Sequence, residues 1–148
     1  HNYLTGGSVM TFKFDDATAA ELWAAMQTAL TSKQNFVSCS GVRNAECQAH
    51  EMGLLTGHAY SVLKTVKTSS GHKLVQVRNP WGETEWNGPF SDKSPEMTPQ
   101  LRVELGHTDI DDGTFFLTLD DWYKWFGRIE VCEPSFITQL SEGPTARL

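Results

Sequence analysis

The chain has 148 residues, is 39% hydrophobic and 11% aromatic, and carries five Trp, a composition for one globular domain with a real core. Its formal charge is −6 with no basic cluster, which makes nucleic acid and anionic membrane surfaces poor partners. No apolar run approaches the ~20 residues of a membrane span, and no signal peptide is visible. No Met starts the chain, so it reads as a piece of a longer protein.

In chain order, the first expected element is a helix. Thr18-Ala19-Ala20-Glu21 fits a capping box, and Leu22, Met26 and Leu30 recur every four residues with Trp23 beside them. Phe36 to Cys39 reads as a short strand, followed by a loop to residue 57. Ala59 to Val66 and Lys73 to Arg78 read as a hairpin turning at Ser69-Ser70-Gly71. The stretch from Gly82 to Gly113 is rich in Pro, Gly, Asp and Ser, and reads as a long loop with one short helix after Pro99. Phe115 to Leu119 and Arg128 to Cys132 read as strands. Between them, Asp120 to Phe126 reads as a short helix with an acidic first turn, stopped by Gly127. The expected class is α+β: an antiparallel, barrel-like sheet with short flanking helices and long loops at one end. It occupies residues 1–134, with residues 135–148 as a linker toward a following domain.

The three cysteines are Cys39, Cys47 and Cys132, an odd number without framework spacing, which points to a reduced, intracellular compartment. Cys47-x-x-His50 with Cys39 lacks the fourth ligand of a zinc site. Cys39, inside a strand, reads as structural.

The chemistry concentrates in two segments, Gly57-His58-Ala59-Tyr60-Ser61-Val62 and Val77-Arg78-Asn79-Pro80-Trp81-Gly82. They place a His at the start of one strand and an Asn at the end of the next, neighbours in an antiparallel hairpin. An Asn beside a His accepts from one ring nitrogen and aims the other outward. A His so held takes a thiol proton and keeps the thiolate as an ion pair. Trp81 would cover the pair and keep water from competing.

Beyond this local chemistry, Gly53-Leu54-Leu55-Thr56-Gly57-His58-Ala59-Tyr60-Ser61-Val62 resembles the histidine segment of calpains. Arg78-Asn79-Pro80-Trp81-Gly82-Glu83-Thr84-Glu85-Trp86-Asn87-Gly88 resembles their asparagine segment. Asp112-Gly113-Thr114-Phe115-Phe116-Leu117 resembles their later acidic loop and strand, and Tyr3-Leu4-Thr5-Gly6-Gly7 the start of this half. Pro80 stands where papain-like enzymes usually carry Ser, which favours calpain over papain.

The resemblance implies the second subdomain of a papain-like, calpain-type protease core. Its partner is a first half bearing the nucleophilic Cys in a Gly-x-Cys-Trp context absent here, and its substrates are proteins. It assigns His58 as base, Asn79 as its orienting group and Trp81 as the shield. It also implies a calcium ion held by Glu85, Asp92, the Ile110 carbonyl and Asp112. Thr114 stands where the family has Glu, which removes one carboxylate and weakens the metal site. Two rival readings stay open: a degenerate, non-proteolytic calpain-like scaffold or regulator, and a papain-like enzyme of another group.

Overall fold

The computed structural model describes residues 8–32, 35–42, 49, 51–55, 59–79, 85–106 and 113–133. The linker expected over 135–148 lies outside them. Six strands form one antiparallel sheet: β1 (Ser8–Lys13), β2 (Phe36–Ser40), β3 (Tyr60–Lys67), β4 (Lys73–Arg78), β5 (Thr114–Thr118) and β6 (Arg128–Glu133). Their spatial order is β1-β6-β2-β3-β4-β5, so the last strand lies between the first and the second.

Among the described residues, helices cover this sheet from both sides. Helix α1 (Ala19–Leu30) starts at the capping box read from sequence: Glu21 N–H donates to Thr18 Oγ1 at 3.1 Å, and Thr18 N–H donates to Glu21 Oε1 at 2.8 Å. Its buried face is Leu22, Trp23, Met26 and Ala29. Helix α2 (Pro99–Leu105) has Pro99 at its first position and ends on Gly106 at φ 64, the left-handed conformation that costs glycine least. Helix α3 (Leu119–Trp125) begins one residue earlier than expected, because the Thr118 side chain caps it by accepting from Asp121 N–H at 3.0 Å. It stops at Phe126, whose extended backbone (φ −98, ψ 166) breaks the helix before Gly127 is reached.

The barrel-like sheet expected from sequence is corrected to an open one. β1 and β5 are its edges, and among the described residues they do not pair with each other. A barrel buries one face of its sheet in a closed interior. Here β4 and β5 bury both faces under separate layers. Val75, Val77, Phe115 and Leu117 join the core under α1 and α3, while Leu74 and Phe116, pointing the other way, join Leu101 and Leu105 of α2. That is why Phe115-Phe116-Leu117 is a continuous apolar run with no alternation. At the other end of the sheet α2 does not reach, and Val9 and Phe36, which flank Cys132 in one cross-strand row, stay exposed.

Strand β1 was not expected. As an edge strand it leaves Val9 and Met10 exposed, so its sequence carries no clean alternation, and its partner β6 lies over a hundred residues away. The β3–β4 hairpin turns where predicted, with Gly71 at φ 95 and its N–H donating to the Thr68 carbonyl at 2.9 Å.

Candidate active site

Asn79 follows the last residue of β4 and is fully buried. The pair Ser61↔Arg78 sets it beside the start of β3, whose first residue is Tyr60. Its N–H donates to the Gly113 carbonyl at 2.8 Å, which fixes its backbone against the entry to β5. Of the residues assigned from sequence, Asn79, Glu85, Asp92 and Thr114 are described, whereas His58, Trp81, Ile110 and Asp112 lie outside the described residues.

The main chain on either side of the histidine segment is braced. Tyr60 is fully buried, its ring edge-on to Phe115 (6.1 Å) and Phe126 (5.3 Å), and its Oη accepts from Leu55 N–H at 2.9 Å. Residues 51–55 are joined in turn to the segment after the asparagine. Asn87 N–H donates to the Met52 carbonyl at 2.9 Å, and Asn87 Nδ2 to the Glu51 carbonyl at 2.7 Å. Gly53, at φ 84, lies so close to Glu85 that a Cβ built on it would sit 1.9 Å from the Glu85 carbonyl oxygen. Trp86, below this contact, donates from Nε1 to the Pro89 carbonyl at 2.9 Å and stacks edgewise on Trp125. Sequence reading did not single out Tyr60, Gly53, Asn87 and Gly113 as supports: all four stand inside the quoted segments, but their roles depend on partners in other segments.

The two stretches expected to bind calcium also meet. Glu85 Oε2 accepts from Gly113 N–H at 2.9 Å, next in sequence to Asp112. Asp92 is buried, and its main-chain carbonyl accepts from the Arg102 guanidinium. Thr114, opposite Arg78, brings a hydroxyl to the position where the resemblance leads one to expect a carboxylate. Among the described residues no three His, Cys, Asp or Glu side chains converge as metal ligands. Calcium takes six to eight oxygens. The described donors do not fit such a site by themselves.

Cys39 is buried in β2, and burial pushes its thiol from an ordinary 9.0 up to about 12. The Trp122 indole offsets this slightly, although its Nε1 makes no hydrogen bond of normal geometry among the described residues. A thiol so placed is not a nucleophile. It also sets a pH dependence. Above pH 9.0 the unfolded chain loses this proton while the folded chain keeps it to about 12, so stability falls as pH rises. Tyr60, raised by burial from 10.0, adds the same sign. We expect the unfolding free energy from urea melts to fall on the alkaline side of pH 9, with Cys39 contributing up to about 1.4 kcal/mol per pH unit. Cys39→Ala should flatten that slope, and an equal slope in the variant would refute the assignment.

Comparison with known proteins now bears on identity. The sequence model of one family, described as calpain family cysteine protease, matches residues 1–133. Calpain-9 of Rattus norvegicus is 37% identical over 137 residues, covering 86% of this chain and 20% of that protein. The calpain-type cysteine protease DEK1 of Arabidopsis thaliana is 38% identical over 120 residues, covering 79% of this chain and 5% of that protein. Calpain-A of Drosophila melanogaster is 39% identical over 94 residues, covering 56% and 11%. The chain thus spans a fifth or less of the length of these relatives. With that family model matching across the whole described sheet, the chain belongs to the calpain family of cysteine proteases.

Proposed function

We propose that this chain is the His- and Asn-bearing half of a calpain-type intracellular cysteine endopeptidase, and that the catalytic Cys is supplied by a first half of the core. The observation that carries this reading is Asn79, fully buried at the end of β4 and held by Gly113 beside the start of β3. Sequence alone separates His58 from Tyr60 by two residues, at most ~7 Å of extended chain. The brace between Leu55 and Tyr60 holds both flanks of that segment.

In this reading His58 takes the proton of the partner half's thiol, and the thiolate attacks the scissile carbonyl of a protein substrate. The imidazolium then returns the proton to the leaving amine. Asn79 accepts from the His58 ring and fixes its tautomer, and Trp81 keeps water from that bond. Calcium, if bound, is held by Glu85, Asp92, Asp112 and the Ile110 carbonyl, and Thr114 makes that binding weak. Among the described residues no helix is long and apolar enough to cross a membrane.

The isolated chain should be proteolytically silent, because a base without a nucleophile supplies little covalent catalysis. Joined to a half containing the Gly-x-Cys-Trp segment, it should cleave casein in a thiol-dependent way. Cleavage by the isolated chain that is abolished by Cys39→Ser would overturn the assignment. Silence of the joined protein would favour the non-proteolytic scaffold instead.

A further inference from the structure

Strand β3 outruns its neighbour β2. The ladder between them is Cys39↔Tyr60, Ser38↔Ser61 and Val37↔Val62, although β3 continues to Lys67. Where β2 drops out, the β3–β4 register slips between Val62 and Lys64, which leaves Leu63 outside both ladders as a bulge. Its side chain is exposed, and so is that of Phe36, the first residue of β2. A groove of about 430 Å³ opens here, with Leu30, Phe36, Ser61, Leu63 and Arg78 among its walls. Its end wall is fixed by Asn35, whose N–H donates to the Ser32 carbonyl at 3.2 Å and whose Nδ2 donates to the Ala29 carbonyl at 3.0 Å.

Among the described residues lining the groove, Arg78 alone is charged. It is exposed, it stands between Ser61 and Thr114 across the strands, and no carboxylate among the described residues holds its guanidinium. Glu130 belongs to the same cross-strand row through Ser38 and Ser61, but it is three strands away, roughly 14 Å. That exceeds the screening length of about 8 Å at physiological salt. A free guanidinium beside apolar walls suits a carboxylate carried near an apolar side chain. A strand edge without a neighbour suits an extended polypeptide. Side chains on one face of a strand recur every two residues, roughly 7 Å, and Ser61, opposite Arg78, is two residues from Leu63. The acidic and apolar side chains of the ligand therefore belong two residues apart.

We propose that this groove binds an extended segment of the protein substrate, with an acidic side chain on Arg78 and, two residues away, an apolar one against Leu63 and Phe36. The proposal rests on the protease reading for why a substrate is present. Arg78 directly precedes Asn79, so the groove opens one residue from the candidate catalytic group and makes Arg78 a specificity determinant for sequence near the cleaved bond.

Fluorescence anisotropy tests it on the joined protein, with the nucleophile of the first half replaced by Ala so that the probe is not cut. The probe is a fluorescein-labelled Ala-Glu-Ala-Leu-Ala-Gly peptide, compared with the same peptide carrying Lys for Glu. The native protein should bind the Glu peptide about fivefold tighter, from one exposed attraction lost and one repulsion gained, and the gap should narrow as salt rises. Arg78→Gln should close the gap, Arg78→Lys should keep part of it, and Arg78→Glu should reverse it. Leu63→Ser should weaken both peptides alike. In the active joined protein, Arg78→Gln should raise KM for a substrate carrying the Glu-Ala-Leu segment and leave kcat unchanged on a short fluorogenic peptide without it. Equal binding of the two peptides, or a gap that survives Arg78→Gln, overturns the proposal. So does a lower kcat on the short peptide, which would mean that Arg78 acts on Asn79. An Arg78 that phenylglyoxal does not modify in the joined protein also overturns it, because the first half then covers the groove. Should Arg78→Glu fail to fold, Arg78→Lys against Arg78→Gln still decides. A silent joined protein that keeps the preference removes the protease reading alone, and an active one that lacks the preference removes the groove alone.

Discussion

Gly53→Ala should lower the melting temperature of the chain by roughly 10 °C or more, at about 3–4 °C per kcal/mol for this size. Two costs add. The residue holds φ 84, which an L side chain adopts at about 1–2 kcal/mol. Its new Cβ would also meet the Glu85 carbonyl oxygen at 1.9 Å, its carbon at 2.8 Å and the Trp86 Cα at 3.3 Å. All three are main-chain atoms, so relief requires moving one loop off the other. That movement strains the Asn87 bonds to Met52 and Glu51, and with them the connection between the histidine and asparagine segments. Gly71→Ala is the control. It has φ 95 with nothing within 4 Å of a built Cβ, so only the conformational cost applies. Thermal melts of the two variants should differ by several degrees, and equal melts would mean the close approach at Gly53 is absent in solution.

Asn79→Ala should cost the joined protease about 100-fold or more in kcat/KM, the loss expected when a catalytic group is displaced by an ångström or released to rotate. Most of it should appear in kcat, since in the proposed reading Asn79 orients the base and does not touch substrate. The same change removes a fully buried polar side chain, so the fold should also weaken by about 1–3 kcal/mol. Asn79→Asp keeps an acceptor in place and should retain more activity than Ala. Steady-state kinetics on the two variants separates orientation from folding. Near-native kcat in Asn79→Ala, with unchanged substrate affinity, would remove Asn79 from the catalytic assignment.

The features legible in the sequence are those decided by near neighbours. The capping box of α1 spans Thr18 to Glu21, and the hairpin turn of β3 and β4 spans Thr68 to Gly71. Pro99 and Gly106 mark both ends of α2. The position of Asn79 at a strand end was legible for the same reason, since the apolar run of β4 gives way to Arg78 and Pro80 cannot extend the strand. What escaped depends on distant partners. β1 is a strand because β6 accepts it, and nothing in Ser8–Lys13 announces that. The sheet stays open because Leu74 and Phe116 find a second core under α2, a fact that alternation in one strand cannot reveal. Arg102 looked like any exposed-face helix residue, and only the return of the Asp92 loop past α2 gives it a role. His58, Trp81, Ile110 and Asp112 were read from sequence and lie outside the described residues, and their assignments stand as part of the proposal.

The register of β1 against β6 has a mechanical consequence. Ser8 lies opposite Glu133, so the first and last described residues are cross-strand neighbours, roughly 5 Å apart at their Cα atoms. Any polypeptide joined before Ser8 or after Glu133 leaves from one corner of the sheet. Both attachments then act on the same lever arm. The far corner, where β4 ends at Asn79 beside β5, is the part of the sheet farthest from that shared corner. A small rotation at the shared corner becomes a larger displacement at the tip.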